Sequence, residues 1–200
     1  MTEAAPVVLL VICAAPPAAQ VAELAEQLGN GGWDVYPVMT EAAGAWVDPE
    51  SLERVTGHPV KREPRGPQEP KSLPKADAVV VAPATFNTIN QWAAGTNDTA
   101  ALGILNEALG SGTPIIASPY AKAVLAAHPA FSRSIELLAG AGVRFTATDA
   151  LRPAVPDGPF QWKAVLDLVH DSRSRPVQPQ GSPTNLDRRR NPRPQPRSSR

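Results

Sequence analysis

Cysteine is nearly absent from this sequence, since Cys13 is alone among 200 residues. A single cysteine cannot form an intrachain disulfide, and it excludes a zinc site built from several thiolates. The commonest nucleotide and hydrolase signatures are missing as well, because no P-loop, G-x-G-x-x-G, G-x-S-x-G or H-E-x-x-H segment is present. We therefore expect no metal site and none of the sites that these signatures build.

Long apolar runs are also lacking. The longest, residues 6–19, is too short to cross a bilayer. It follows Glu3 rather than a basic residue, which argues against a secretory signal peptide. These features predict a cytoplasmic protein without a membrane partner.

Net charge is zero, but the sum hides a split. Residues 172–200 contain eight Arg and one Asp and carry +7, so residues 1–171 carry −7. The last segment is rich in proline and poor in apolar residues, and it buries too little surface to offset its ordering entropy. We expect one domain over residues 1–171 and a disordered Pro/Arg-rich tail over residues 172–200.

Apolar runs alternate with helical patterns along the predicted domain. The run from Val7 to Cys13 is typical of a parallel strand covered on both faces. Further strands are predicted at residues 33–38, 78–82, 114–118 and 143–146, and helices at residues 21–28, 41–47, 88–94, 99–109, 131–139 and 162–169. This alternation predicts the α/β class, with a three-layer, doubly wound parallel sheet of Rossmann-like or flavodoxin-like form in a single domain.

Residues 57–75 interrupt the alternation with five prolines and two glycines. Loops of this length are usually lids or mobile segments. Val60 is a candidate for a brief pairing at a sheet edge. His58 lies in the same loop, and histidine suits proton transfer near neutral pH, so it is a candidate for an active site in the same or a neighbouring subunit.

Polar side chains follow several of the predicted strands. Ligands of open parallel sheets bind beyond the carboxyl ends of the strands, where the strand order reverses. Asn87 and Asp98 are predicted to be N-caps of helices that start at Thr88 and Thr99. Free amide donors at such helix ends make a site for an anion or a heteroaromatic ring, and the alternative is that both residues only cap their helices.

Four segments in order carry a resemblance to a known family. Pro83–Thr88, with Ala93–Asp98 after it, resembles the P-A-S-A-N-T and A-x-G-x-x-D signatures of the homo-oligomeric flavin-containing cysteine decarboxylases. That family includes phosphopantothenoylcysteine decarboxylases and flavin prenyltransferases. Residues 40–46 are similar to its T-x-x-A-x-x-F segment, with Trp46 in place of Phe, and residues 128–129 to its H-P segment.

The resemblance implies FMN bound between subunits of a homotrimer or a higher homo-oligomer. It implies that the first loop faces the cofactor phosphate, that Thr40 and Trp46 lie by the flavin ring, and that residues 84–88 cradle the cofactor. The cofactor-binding residues implied in this way are Cys13, Ala14, Ala15, Thr40, Trp46, Ala84, Thr85, Phe86, Asn87 and Thr88.

The sequence also departs from the family at the decarboxylase residues. Ala14-Ala15 replaces the common G-S of the first loop, and residues 68–72 lack the histidine that the decarboxylases place before the middle strand. The substrate clamp P-x-M-N-x-x-M appears as residues 119–125, which keep the proline and lose both Met and the Asn. Lys122 now lies there, and an ammonium binds a substrate anion as a point charge. Lys122 and His58 are therefore the two catalytic candidates.

Cys13, His128 and Trp92 also have ordinary structural interpretations: a small buried apolar residue, a residue at a helix start, and a packing or subunit-contact ring.

Three functions follow as hypotheses. The leading one is an FMN-binding flavoprotein that catalyses a flavin-dependent oxidation or decarboxylation of a small molecule. The alternative is a non-catalytic, flavin-binding regulatory subunit that has lost the decarboxylase residues. A third, nucleic-acid binding through the basic tail, lacks the aromatic residues that such binding uses, so we expect no nucleic-acid partner.

Overall fold

The computed structural model describes residues 4–64, 66, 68 and 73–174. Helices and strands alternate along these residues, and two 3-10 turns, Pro16–Gln20 and Glu41–Ala45, follow the first two strands. In chain order the elements are β1 (Val7–Ile12), α1 (Val21–Asn30), β2 (Asp34–Met39), α2 (Pro49–Thr56), β3 (Ala78–Ala84), α3 (Phe86–Ala93), α4 (Ala100–Ser111), β4 (Ile115–Pro119), α5 (Ala123–Ala126), α6 (Pro129–Gly140), β5 (Arg144–Phe145) and α7 (Lys163–Ser174).

The five strands form one parallel sheet in the order β2-β1-β3-β4-β5. The chain moves outward from β1 to β2 and then returns past β1 to β3, so the winding direction reverses between β1 and β3. Crossover helices cover both faces, which confirms the predicted doubly wound α/β fold. The carboxyl ends of β1 and β3 consequently border the crevice in which such folds bind ligands.

Each face of the sheet packs against its own layer of helices. Because side chains alternate along a strand, Val8, Leu10 and Ile12 join the cluster that contains α1 and α7, while Leu9 and Val11 join the cluster that contains α3, α4 and α6. All seven residues of β3 are buried, as expected of a central strand covered on both sides.

Two short helices were not anticipated from the sequence. In α2 only Leu52 is buried, so its apolar stripe is too narrow to stand out, and α5 is a four-residue helix with no buried side chain. The predicted helix at residues 41–47 is instead the 3-10 turn Glu41–Ala45.

The two N-cap predictions were wrong by one or two residues. Thr85 caps α3 by accepting a hydrogen bond from the Thr88 N–H, and Thr99 caps α4 by accepting one from the Leu102 N–H. Asn87 therefore lies inside the first turn of α3, and Asp98 lies one residue before the cap. Both side chains are released from the capping role that the sequence suggested.

The proline-rich segment meets the sheet edge at one point. Lys61, rather than Val60, bridges to Val38 of β2, with hydrogen bonds from the Lys61 N–H to the Pro37 carbonyl and from the Met39 N–H to the Lys61 carbonyl, both 2.9 Å. Helix α7 continues to Ser174, past the predicted domain end at residue 171. The remainder of the predicted tail, from residue 175, lies outside the described residues. None of the described helices is long and apolar enough to cross a membrane.

Candidate functional site

A thiol and two hydroxyls meet where the strand order reverses. Cys13 follows β1 directly, and its N–H donates to the Pro83 carbonyl of β3 at 3.2 Å, which ties the two strand ends together. Just beyond β3, the Thr85 and Thr88 hydroxyl oxygens lie 3.1 Å apart, and both residues lie close enough to the Cys13 thiol to lower its pKa. The switch point of the sheet is thus lined by three small polar groups.

Burial controls the chemistry of the thiol. Cys13 is 1% exposed. Burial raises the pKa of the Cys13 thiol above its ordinary value of 9.0, and the hydrogen bonds with Thr88 and Thr85 only partly oppose the rise. The group is therefore a neutral thiol at physiological pH and not a nucleophilic thiolate.

The loop after β1 offers few groups to a ligand. Pro16 and Pro17 have no N–H, and within the described residues neither Ala14 nor Ala15 has a hydrogen-bond acceptor for its N–H. Gln20 is the first residue of the loop with a long polar side chain, and its Oε1 accepts a hydrogen bond from the Phe160 N–H at 2.9 Å. Two backbone donors remain free at the end of β1.

The end of β2 contributes one hydroxyl and one large ring. The Thr40 N–H donates to the Ile12 carbonyl at 3.0 Å, which holds the residue beside the end of β1, and the Thr40 side chain makes no capping hydrogen bond. Trp46, at the end of the 3-10 turn, leaves 44% of its surface exposed. A hydroxyl without a hydrogen-bond partner among the described residues and an exposed aromatic ring therefore follow the carboxyl end of β2.

The first turn of α3 presents an aromatic ring and an amide. Phe86 is half-buried, stacked on Phe131 with ring centroids 5.7 Å apart and edge-on to His128 at 5.8 Å. Asn87 is exposed, and its side-chain amide has no hydrogen-bond partner among the residues that the structure describes. His128 caps α6 by accepting a hydrogen bond from the Ala130 N–H at 3.1 Å, which matches its structural interpretation.

At the end of β4 a second cation, Arg152, joins Lys122 and forms a cationic corner that the sequence predicts only in part. The Tyr120 N–H donates to the Ala84 carbonyl at 2.8 Å, so Tyr120 lies directly beside the Thr85 segment. The Arg152 guanidinium lies over the Tyr120 ring, 5.2 Å from its centroid, and donates a hydrogen bond to the Ala121 carbonyl at 3.2 Å. The next residue, Lys122, is exposed. Nothing in the spacing of the sequence pairs residue 152 with residue 120.

His58 lies apart from the other candidates. Its Nε2 is 2.7 Å from the Asp34 Oδ1, and its ring stacks on Tyr36 with centroids 3.7 Å apart. Asp34 is the first residue of β2, and Met39 lies five positions further along, a distance of about 17 Å along the strand. Within one chain, His58 therefore lies toward the amino ends of the strands.

The structure thus brings nearly all the predicted cofactor-binding residues to one edge. Cys13, Ala14, Ala15, Thr40, Ala84, Thr85, Phe86, Asn87 and Thr88 occupy the ends of β1, β2 and β3, and Trp46 lies six residues past Thr40. Trp92 is 2% exposed and packs with the helices of the α3 layer, which supports its interpretation as a packing residue. In the part of the chain that the structure describes, no group of three or more His, Cys, Asp or Glu side chains could hold a metal ion.

Comparison with known proteins supplies a family. A family model described as Flavoprotein matches residues 2–174, which is most of the chain.

Curated relatives point the same way. The sequence is 32% identical over 168 residues to the coenzyme A biosynthesis bifunctional protein CoaBC of Thermococcus kodakarensis, a match that covers 82% of this chain and 40% of the relative. The CoaBC protein of Escherichia coli is 31% identical over 155 residues, which cover 74% of this chain and 37% of that protein. The chain therefore spans about two fifths of the length of these relatives.

Solved structures share the fold. TvaF, described as an FMN-dependent cysteine decarboxylase from thioviridamide biosynthesis, superposes with a TM-score of 0.68 at 19% identity, over 85% of this chain and 99% of that one. The FMN-dependent cysteine decarboxylase SpaF gives a TM-score of 0.64 at 23% identity, over 84% of this chain and 98% of its own. A PPC decarboxylase complexed with pantothenoylaminoethenethiol gives 0.65 at 18% identity, over 85% and 98%.

Proposed function

This chain belongs to the Flavoprotein family, and from that premise we propose that it binds FMN at the carboxyl edge of its sheet and catalyses the flavin-dependent decarboxylation of a small carboxylate substrate. The observation that carries the proposal is the cluster of Cys13, Thr85 and Thr88 at the switch point, where a doubly wound sheet places its ligand.

The groups at this edge fit the polar rim of a flavin. The ring system and the ribityl chain carry carbonyl, ring-nitrogen and hydroxyl groups, which need short side chains able to donate and accept. Thr40, Thr85 and Asn87 are of this kind, and the buried Thr88 hydroxyl lies behind that of Thr85, 3.1 Å from it. Trp46 and Phe86 are suited to covering an apolar ring face.

In this proposal the cofactor and the residues of the chain have different roles. When bound, FMN supplies a two-electron acceptor, and oxidation of a substrate beside its carboxylate promotes loss of carbon dioxide. The chain's own residues bind and orient: the threonine hydroxyls hold polar edges, and Phe86 with Trp46 limits the access of water. Cys13 remains a neutral hydrogen-bonding group, because its burial opposes ionisation.

Catalytic roles for Lys122 and His58 stay predictions. Lys122 lies at the same edge as the cluster, one residue after the carbonyl that Arg152 contacts, so its proposed role in binding a substrate anion needs no other subunit. His58 is paired with Asp34 at the opposite end of β2, so a role for it at an active site requires the site of a neighbouring subunit.

Assembly belongs to the proposal too. We propose a homotrimer or higher homo-oligomer of cytoplasmic subunits, each with one flavin domain over residues 1–171 and a tail after it. The support within the structure is apolar surface beside the candidate site: on α5, Val124 is 78% exposed and Leu125 is 39% exposed. A second copy of the chain that covers α5 would remove this surface from water.

Enzymatic activity is favoured over the regulatory alternative. The curated relatives are biosynthesis proteins, and two of the structural neighbours are described as FMN-dependent decarboxylases. No contact in the described residues favours a non-catalytic subunit in particular.

The test combines FMN binding with release of carbon dioxide. The substitution Thr85→Ala removes a hydroxyl at the switch point, and we expect FMN affinity to fall about fivefold, since one net hydrogen bond contributes about 1 kcal/mol. Thr85→Ser keeps the hydroxyl and is the matched control, with affinity near that of the original protein. Affinity is measured by quenching of flavin fluorescence.

Catalysis is assayed with N-acetylcysteine and its carboxamide as probes. The proposal predicts release of carbon dioxide from the carboxylate probe only when FMN is bound, and none from the carboxamide. A protein that binds no FMN, or that binds it equally well with Ala or Ser at residue 85, would contradict the proposed site.

A further inference from the structure

In the cationic corner at the end of β4, Lys122 has a proposed role in anion binding, whereas Arg152 has none. Its central group is the Arg152 guanidinium, held over the Tyr120 ring and by the Ala121 carbonyl. Its second cation is Lys122, which follows Ala121 in the chain. Neither side chain forms an ion pair with a carboxylate anywhere in residues 4–64, 66, 68 and 73–174.

The position of Arg152 is defined by its neighbours. A guanidinium has five N–H donors, and the residues that the structure describes show one hydrogen bond from it, to a carbonyl, so most of its donors have no partner among them. The Tyr120 ring below it is itself braced by Phe160, edge-on at 6.2 Å. A planar cation on an aromatic face, with its plane supported from below, is a preorganised partner for a carboxylate or a phosphate.

The cationic corner lies in a domain whose net charge is negative. Residues 1–171 carry −7, so most of the domain repels anions. Asp149 is the acidic residue nearest to Arg152 in sequence, and only its backbone carbonyl is engaged there, by the Arg152 N–H at 2.9 Å. The end of β4 therefore carries two cations that pair with no carboxylate among the described residues, so its local charge is positive while the net charge of the domain is negative.

The loop after β1, at the same edge of the sheet, offers few hydrogen-bond donors to a ligand. Pro16 and Pro17 have no N–H, and the N–H groups of Ala14 and Ala15 have no acceptor in the part of the chain that the structure describes. The Arg152 segment reaches that loop through the hydrogen bond from the Phe160 N–H to Gln20, at 2.9 Å. An anionic group bound in the crevice finds no countercharge in the loop after β1 and finds it at the end of β4.

We propose that Arg152, together with Lys122, the residue after its Ala121 contact, binds an oxyanion at the carboxyl end of β4. The inference rests on the proposed function for its crevice, and the oxyanion is a phosphate or carboxylate group of the ligand bound there. Two sources share this chemistry: the phosphate of the cofactor and the anionic group of the substrate. Arg152 acts as a binding residue, because a guanidinium offers hydrogen-bond donors and no acceptor.

The experiment compares Arg152→Gln with Arg133→Gln. Arg133 is a matched control, because it is an exposed arginine whose guanidinium likewise donates to a backbone carbonyl, that of Pro129, away from the corner. For each variant, affinities are measured for FMN, for riboflavin, and for inorganic phosphate added to the riboflavin-loaded and the FMN-loaded protein. Riboflavin lacks the phosphate and therefore also reports whether the variant is folded.

Loss of a charge-assisted hydrogen bond at Arg152 is expected to lower the affinity for the bound anion at least about tenfold. Weaker FMN binding with unchanged riboflavin binding assigns the site to the cofactor phosphate. Weaker binding of inorganic phosphate to the FMN-loaded protein, with FMN affinity unchanged, assigns it to the substrate. Arg152→Lys is expected to restore part of the affinity, because the charge remains and the planar fork does not.

Equal affinities of Arg152→Gln and Arg133→Gln for all three probes would overturn the inference, as would an equal loss of FMN and riboflavin. Failure of the proposed function looks different. In that case the unsubstituted protein binds neither flavin, while binding of inorganic phosphate by the flavin-free protein still reports on Arg152 by itself.

Discussion

At the scale of single residues, the candidate site consists of small polar groups, and burial sets the protonation of one of them, the Cys13 thiol. Cys13 illustrates this point, because the sequence shows only a thiol at a strand end, whereas the structure shows a thiol enclosed by β3 and by the start of α3. Its interpretation as a small buried residue and its place beside the candidate cofactor site are both supported. What the residue cannot supply at neutral pH is a thiolate.

The buried thiol should make stability depend on alkaline pH. Below the ordinary pKa of 9.0 the thiol is protonated in both the folded and the unfolded chain. Above it the unfolded chain ionises first, because burial raises the pKa of Cys13 in the fold, so the free energy of unfolding falls as pH rises. The contribution is at most about 1.4 kcal/mol per pH unit.

Urea unfolding from about pH 8 to about pH 10 measures this dependence against Cys13→Ala, which lacks the thiol. Partial burial, and after it the Asp34 charge, also raises the pKa of Tyr36, but that contribution is common to both proteins and cancels. Parallel pH curves for the two proteins would show that the thiol ionises in the fold as easily as in the unfolded chain.

Polar residues near helix starts show why the sequence predicted the location of the candidate site but not the role of each residue in it. Asn87 and Asp98 are good capping residues, but Thr85 and Thr99 also are, and the sequence does not say which of two neighbours has the extended backbone that a cap requires. The consequence is chemical, since the amide of Asn87 is left free at the candidate site.

At the scale of elements, strands were predictable and short helices were not. An unbroken β-branched run such as Val79–Val81 has few alternatives to a buried strand. Helix α2 buries a single side chain and α5 buries none, so neither leaves a periodic apolar pattern in the sequence. Their positions depend on contacts with residues that are distant in the chain.

The segment around His58 is an element held at the sheet edge by a side-chain pair. His58 is bonded to Asp34 and stacked on Tyr36, and three residues later Lys61 makes its backbone bridge to β2. Unpaired strand edges invite association with other chains, and this segment covers part of the outer edge of β2. A structural function of His58 thus follows directly from its contacts.

The substitution Asp34→Asn should weaken the attachment of the His58–Lys61 segment to the edge of β2. The pair is partly exposed, with 25% of the histidine side chain and 38% of the aspartate side chain accessible, so its loss should cost up to about 1 kcal/mol. We expect the amide hydrogens of Lys61 and Met39 to exchange with solvent about two- to fivefold faster. The pKa of Tyr36 should fall as well, because the Asp34 charge contributes to its rise.

Lys163→Gln is the control for that measurement, because it removes an exposed pair with Asp167 on α7, away from β2. Exchange rates at Lys61 that do not change in Asp34→Asn would mean that the backbone bridge holds the segment without help from the side chains.

At the scale of the whole molecule, the sequence predicted the class of fold and the edge at which chemistry collects. Alternating strands and helices imply a parallel sheet, and in such a sheet all carboxyl ends point to one side. Arg152 was missed because its neighbour Tyr120 is 32 positions away in the chain, and no repeat or spacing relates the two residues. Only the packing of α7 and the segment before it against β4 brings them together.

The division of charge is also a property of the whole chain. An acidic domain whose exposed cations include two at one strand end favours anions there over the rest of its surface. The proposed decarboxylation needs such a location, because both FMN and a carboxylate substrate are anions. Fold, donor groups and charge thus indicate the same edge of the sheet.

The most direct test of the central claim is a crystal structure of the protein with FMN. We expect a flavin at the carboxyl edge, within hydrogen-bond distance of the Thr85–Thr88 segment and next to Cys13. A flavin bound at the amino edge beside Asp34 and Tyr36, or a crystal grown in excess FMN with an empty crevice between β1 and β3, would contradict it.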